Sequence, residues 1–301
     1  MKQNHKYILL SLIIIGAFLR LYNLGFNSLW LDEASTYSIS SQSFFAIWQY
    51  MAAGEFNPPL FYWIEHIMLV FGNSEIILRI VPAIFGILTI PIFYLIGKEF
   101  LNDKTGLVLA TLAAFSPFLI LYSQEARAYS MMLFFVALAF YFYLKNNQWV
   151  LFGIASSIAM WVHFYSFIAI AILILIHIAI YRNKDIIKSI AVIGVLCAPL
   201  FYFGITLFLL RTSVAPSFGM SGINLVIETI SEISGFNIAA AFIFSIVGIT
   251  GLLYLRNRSR SLMLISSIVG ILIVSVILSY KMPMMPRYLI ILILFISCFI
   301  I

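Results

Sequence analysis

Long apolar runs separated by short polar turns set the rhythm of this chain. A bilayer core takes about 20 apolar residues per helix. Runs of that order recur at 7–25, 76–97, 105–122, 129–144, 148–164, 165–181, 189–210, 237–255 and 261–280, and another starts near 288 and continues to Ile301. The pattern predicts an all-α fold: a polytopic transmembrane helical bundle of about nine complete spans plus a truncated tenth. The stretch from Pro58 to Phe71 departs from this pattern, because it opens on a proline pair and is short for a span. Residues 35–53 mix Tyr37, Ile39, Phe44, Phe45, Ile47, Trp48 and Met51 with polar residues, as an interfacial amphipathic helix does. A second amphipathic piece, 223–233, follows Pro216, Gly219 and Gly222. No internal repeat is visible, which weighs against an inverted-repeat transporter.

Composition strengthens the membrane reading. The chain is 63% hydrophobic and 9% charged, with a mean hydropathy of +1.10, whereas soluble domains are roughly half apolar and a quarter charged. Its net charge of +6 comes largely from loop Lys and Arg, so it is no nucleic-acid footprint. Lys2 and Lys6 precede an apolar run with no small-x-small cleavage site after it, so the first run is expected to be an uncleaved helix. Cys197 and Cys298 lie within apolar runs and suggest neither a disulfide framework nor a metal knuckle.

Charge asymmetry then orients the chain. If 58–71 does not cross, the cytoplasmic ends carry Lys2, Lys6, Lys98, Lys104, Lys145, Arg182, Lys184, Lys188, Arg256, Arg258 and Arg260, 11 of the 17 basic residues. Asp32, Glu33, Glu55, Glu65, Glu75, Glu125, Glu228 and Glu232 fall outside, and only Glu99, Asp103 and Asp185 inside. If 58–71 crossed, every later loop would invert. The chain is therefore expected to form one module, 1–301, with a long first extracytoplasmic loop, 26–75, that holds juxtamembrane helices.

That loop contains Trp30-Leu31-Asp32-Glu33 in a chain with 11 acidic residues. An acid pair at a membrane surface suits a general base with a neighbour that orients it or binds a cation; it also suits the N-terminus of an ordinary helix. Glu125 and Arg127 lie in a very short turn between two runs. A guanidinium there fits a phosphate, or else pairs locally with Glu125. Asn57 precedes the proline pair, as an ordinary helix start or as a polar group turned into the site; His163 and Tyr165 sit at the outer end of a span pair, where a lone His is ordinarily just hydrogen-bonded and can alternatively assist a phosphate or ligate a metal; and Arg287-Tyr288 opens the last run. Arg287 and Arg79 are each expected either to snorkel or to supply a cation, with snorkelling the expectation for Arg79. The four His show no HExxH-like spacing, so no zinc site is predicted. With no glycine-rich phosphate loop present, the set suits an amphiphilic donor: a lipid tail in the bilayer, a phosphate at its surface and a transferable group above it.

The order of motifs resembles the GT-C-fold membrane glycosyltransferases of the protein O-mannosyltransferase and aminoarabinose transferase type. The resemblance rests on Leu29-Trp30-Leu31-Asp32-Glu33, Asn57 to Trp63, Leu78 to Gly86, Tyr122 to Tyr129, His163 with Tyr165, and Pro286 to Leu289. It implies inverting transfer of a mannose-like hexose or related sugar from a polyprenyl- or dolichyl-phosphate donor. The acceptor would be a protein, lipid or glycan hydroxyl at the extracytoplasmic face of the cell membrane. Asp32 would be the base, with Glu33 and Glu125 as further catalytic acids. Arg127, Arg287, Asn57 and His163 would lie at the lipid phosphate, and Trp30, Tyr129, Tyr165 and Tyr288 would line a substrate groove. No cofactor is assigned, although a divalent metal is compatible. Many relatives carry His or Lys where this chain has Asn57, and relatives usually continue with more C-terminal helices. A transporter or flippase for a lipid-linked substrate and a non-catalytic membrane scaffold are the alternatives.

Overall fold

The structure, a computed structural model, describes residues 3–52, 57–181, 183–213, 216, 218–235, 237 and 258–298. Its helices in chain order are α1 (Gln3–Leu21), α2 (Leu31–Ser40), α3 (Phe44–Ala52), α4 (Leu60–Met68), α5 (Glu75–Phe100), α6 (Asp103–Phe115), α7 (Pro117–Ser123), α8 (Tyr129–Leu144), α9 (Trp149–Val162), α10 (Tyr165–Ile180), α11 (Ile186–Leu196), α12 (Ala198–Thr212), α13 (Ile223–Ile233), α14 (Arg258–Ser279) and α15 (Leu292–Ser297). A 3-10 turn, Leu69–Phe71, extends α4, and another, Pro286–Leu289, precedes α15. No strand occurs among the described residues. Among the described residues, three helices are long and apolar enough to cross a membrane (Gln3–Leu21, Glu75–Phe100, Ser259–Ser279), or up to five when each of two bent pairs counts as one span. The predicted run 237–255 lies outside the described residues.

Two runs expected to be single spans are broken. The 105–122 run bends by 56° between α6 and α7, because Pro117 has no N–H to continue the ladder. Arg20, fully buried in α1, takes up the released carbonyls: its Nη2 donates to Ala113 O at 2.7 Å and its Nη1 to Ala114 O at 3.1 Å. The 189–210 run bends by 69° between α11 and α12, where Pro199 occupies the first turn of the new helix. There Trp161 Nε1 donates to Leu196 O at 2.9 Å. The single amphipathic helix expected over 35–53 is likewise two helices, α2 and α3, whereas 223–233 forms as predicted. The last run opens as a 3-10 turn before it becomes helical.

The two ends of the bundle differ in chemistry. At one end, α1 finishes where α5 begins: Arg79, one turn into α5, donates to Leu24 O, Asn27 O and Ser28 O. Helix α4 therefore does not traverse the bundle but lies across this end. The 124–128 turn is tied to the same place, since the Gln124 side-chain amide donates to Leu19 O, Arg20 O and Tyr22 O. Charges at the opposite end pair across neighbouring helices, Lys98 with Asp103 at 3.2 Å and Lys145 with Glu99 at 2.7 Å. Close packing fixes the site end as well. A Cβ on Gly86 of α5 would lie 2.6 Å from Ser123 Cβ, so only glycine lets α5 approach α7 beside that turn.

The α3–α4 hairpin is seated on the bundle by three indoles. Trp48, Trp63 and Trp161 stack with ring centroids 5.9–6.3 Å apart, and Phe203 of α12 meets Trp48 edge-on at 5.1 Å. Such pairs contribute about 0.5–1.5 kcal/mol each beyond area burial.

Candidate functional site

Helix α2 presents its first turn to the 124–128 turn and to the segment leading into α15, which brings the predicted charged residues together. Glu33 is completely buried. Its Oε1 accepts from Arg79 Nε at 2.8 Å and from the Ala126 amide at 2.8 Å, and its Oε2 accepts from Arg79 Nη2 at 2.7 Å. It also accepts from the Trp30 amide at 3.3 Å, closing a capping-box contact at the start of α2. Both carboxylate oxygens are thus occupied by protein donors, and Glu33 does not face water. Arg79 does not snorkel as expected: it is 5% exposed and joins Glu33 to three loop carbonyls. A signal was present in the sequence, since an arginine within a long apolar helix ordinarily faces protein and has a partner.

Asp32 points the other way. Its Oδ2 lies 2.8 Å from Arg287 Nη2, and its side chain is 27% exposed. Arg127 Nη1 donates to Asp32 O at 3.1 Å and to Thr36 Oγ1 at 3.2 Å, both uncharged oxygens. Asp32, Ser35, Ile39, Asn57, Tyr62, Arg127, Phe218, Met282, Pro283, Arg287 and Tyr288 line a cavity of about 260 Å³. Its charged lining groups are one carboxylate and two guanidiniums. Asn57 reaches this cavity and donates to Tyr62 Oη at 3.3 Å.

Five of the predicted residues therefore line the cavity: Asp32, Asn57, Arg127, Arg287 and Tyr288. The others are not among its lining residues. Trp30, Tyr129 and Tyr288 surround the Arg287 guanidinium, with ring centroids 5.1, 5.9 and 5.8 Å away. His163, expected at the phosphate, is instead buried among Tyr129, Tyr165 and Tyr288, and its Nδ1 accepts from the Tyr165 amide at 3.2 Å. Glu125 also does not line the cavity, and its Oε2 is buried and without a hydrogen-bond partner. Burial pushes its carboxyl up to about 7, with Arg287 opposing and Glu33 reinforcing the shift. Glu232 of α13, not among the predicted site residues, accepts from Tyr122 Oη at 2.7 Å and so ties that helix to α7, just before the 124–128 turn. Burial raises its carboxyl too, against the Tyr122 hydrogen bond. Among the described residues, no three His, Cys, Asp or Glu side chains converge as a metal-ligand group.

A second cavity, about 290 Å³ and almost wholly apolar, adjoins the first. Phe164, Tyr165, Phe167, Ile168, Leu200, Phe201, Gly204, Ile205, Phe208, Leu209, Leu278 and Met282 line it. Met282 belongs to both cavities. Tyr165 of the apolar groove stacks on Tyr288 of the polar cavity at 4.8 Å, and its hydroxyl donates to Met284 Sδ.

An all-α bundle with a cationic cavity at one end, opening beside an apolar groove, defines a membrane protein of the GT-C fold class. The chain belongs to the dolichyl-phosphate-mannose-protein mannosyltransferase family, whose sequence model matches residues 57–210. Over its whole length the fold is similar to ArnT from Cupriavidus metallidurans bound to undecaprenyl phosphate, with a TM-score of 0.74 at 15% identity, covering 60% of that chain. It is also similar to the apo oligosaccharyltransferase of Archaeoglobus fulgidus, with a TM-score of 0.61 at 14% identity, covering 50% of that chain. An uncharacterized protein of Aquifex aeolicus (strain VF5) is 28% identical over 169 residues, which make up 52% of this chain and 34% of that protein. The chain thus spans less than two thirds of each of these proteins, from 34% to 60%.

Proposed function

We propose that this chain transfers a glycosyl group, a mannose-like hexose or related sugar, from a polyprenyl- or dolichyl-phosphate donor to an acceptor hydroxyl. The transfer takes place at the extracytoplasmic face of the cell membrane and inverts the anomeric centre. The observation that carries this reading is the shared wall between the apolar groove and the cationic cavity. A long isoprenoid tail suits the first, and a phosphate suits the second. Undecaprenyl phosphate in the ArnT structure supports a lipid phosphate as the ligand of such a fold.

Each residue then has a defined task. Arg127 donates to neutral oxygens, so its charge remains for an anionic phosphate. Asp32, partly exposed at the cavity wall, takes the proton of the attacking hydroxyl as general base. Glu33 acts as a positioning residue: the Arg79–Glu33–Ala126 chain of bonds fixes the start of α2 against the 124–128 turn, and with it the separation of Asp32 from Arg127. Donor phosphate charge grows as the glycosidic bond breaks, and the guanidiniums stabilise it.

Asp32→Asn in the full-length protein tests the base. Transfer of sugar from a polyprenyl-phosphate donor should fall by about 10²-fold or more, as loss of general-base catalysis predicts, with donor binding retained. Transfer at the wild-type rate would remove Asp32 from that role.

A further inference from the structure

The Asp32–Arg287 ion pair poses a problem that also suggests its use. A base held by a guanidinium at 2.8 Å is engaged, and a guanidinium held by a carboxylate has less to offer a phosphate. We propose that Arg287 is a switched counter-ion: it belongs to Asp32 before transfer and is released to the leaving phosphate by the proton that Asp32 accepts. This inference rests on the glycosyl-transfer reading above.

The charges balance at each stage. In the resting cavity one carboxylate and two guanidiniums leave a net charge of +1 among the lining residues. A lipid phosphodiester carries a single negative charge and neutralises that surplus through Arg127. During transfer the acceptor oxygen bonds to the anomeric carbon, and the bond from that carbon to the phosphate oxygen breaks with its electron pair on the phosphate. The acceptor proton passes to Asp32. The phosphodiester becomes a monoester with a second negative charge, Asp32 becomes neutral, and the lining residues rise to +2. Cleavage of the anomeric bond thus creates the leaving-group charge, and the accompanying proton transfer frees the cation that meets it.

Two details of the site fit this exchange. Arg287 would not drift when Asp32 lets go, because the rings of Trp30, Tyr129 and Tyr288 surround its guanidinium at 5.1–5.9 Å. It also has a donor in reserve: its Nε is buried and makes no hydrogen bond, an expense a folded protein rarely carries without a use. Arg127 has no such switch, since its Nη1 partners, Asp32 O and Thr36 Oγ1, do not titrate. The two cations are thereby divided, Arg127 for the donor and Arg287 for the product.

Two probes of the same chain length separate the two states: undecaprenyl phosphate, which can carry two charges, and its methyl diester, which carries one. Their dissociation constants are measured on the full-length protein in nanodiscs, for wild type, Asp32→Asn and Asp32→Asn with Arg287→Gln. Asp32→Asn reproduces the neutral base, so preference for the monoester over the diester should rise about tenfold or more, the scale of a close charge pair. Adding Arg287→Gln should abolish that rise. Asp32→Ala substitutes where Asp32→Asn does not purify as a single species. A preference unmoved by Asp32→Asn, or one that rises equally without Arg287, overturns the switch while leaving the transfer reading intact. Wild type that binds neither probe overturns both, as does an Asp32→Asn protein that still transfers sugar.

Discussion

Asp32 and Glu33 are neighbours in sequence and opposites in environment. One is on the cavity wall and the other is sealed against Arg79. Adjacent residues on a helix point about 100° apart, so the pair was bound to divide, but which member turned inward depended on Arg79, 46 residues later. Asp32, Arg127 and Arg287, singled out from the sequence, do line the cavity; the resemblance favoured Asp32 of the pair, but the residues alone did not say that Glu33 would be sealed inside. The snorkelling expected for Arg79 failed for a related reason: burial and tertiary partners decide whether a polar side chain is a ligand or a strut. Glu33→Gln should destabilise the protein by about 3–5 kcal/mol, because Arg79 would be left buried without its counter-charge; thermal unfolding in detergent measures this. Glu125 gives a second prediction. Its carboxyl is raised from 4.5 to about 7, so between these values the unfolded chain ionises while the folded one holds its proton. Stability should therefore fall as pH rises through that window. Glu125→Gln should leave the melting temperature little changed near pH 5 and raise it near pH 8, and melting curves across that range check the sign.

At the scale of elements, apolar periodicity located most helices to within a few residues. It did not foresee the two bends, because a proline inside an apolar run permits either a kinked continuous helix or a break. α5 contains Pro82 and Pro91 and continues through both; the runs at Pro117 and Pro199 do not. At each break a side chain from another helix donates to a carbonyl at the end of the preceding helix. At Pro117 it is Arg20 of α1, almost a hundred residues earlier in the chain. The bend directs α7 into the 124–128 turn, so Arg20 acts on the site through backbone geometry. Arg20→Met, of similar length but without donors, should leave the Ala113 and Ala114 carbonyls unsatisfied. The cost should be about 1–3 kcal/mol for each buried group. It should also lower transfer turnover more than donor affinity, since Arg20 touches neither cavity. Thermal unfolding and a comparison of kcat with KM test the two halves of this prediction.

At the scale of the whole molecule, the groove and the cavity meet at Met282 and differ in solvent character. Gly204 lies on the groove wall, and a Cβ added there would meet only Phe164 Cε1, at 3.6 Å, so a larger side chain would enter the groove. Gly204→Trp should raise KM for long-chain polyprenyl-phosphate donors by about tenfold, the loss of about two buried methylenes, with short-chain analogues unaffected. Equal effects on both chain lengths would place the tail elsewhere. The indole stack described above also gives the molecule an optical handle. Of five tryptophans, three are within about 6 Å of one another, close enough for their excited states to couple and to leave a paired band in the circular dichroism. Trp30 stands apart, facing Arg287. The chain thus carries two built-in chromophores of different kind: one reports whether the α3–α4 hairpin is seated, and the other whether the Arg287 guanidinium has moved.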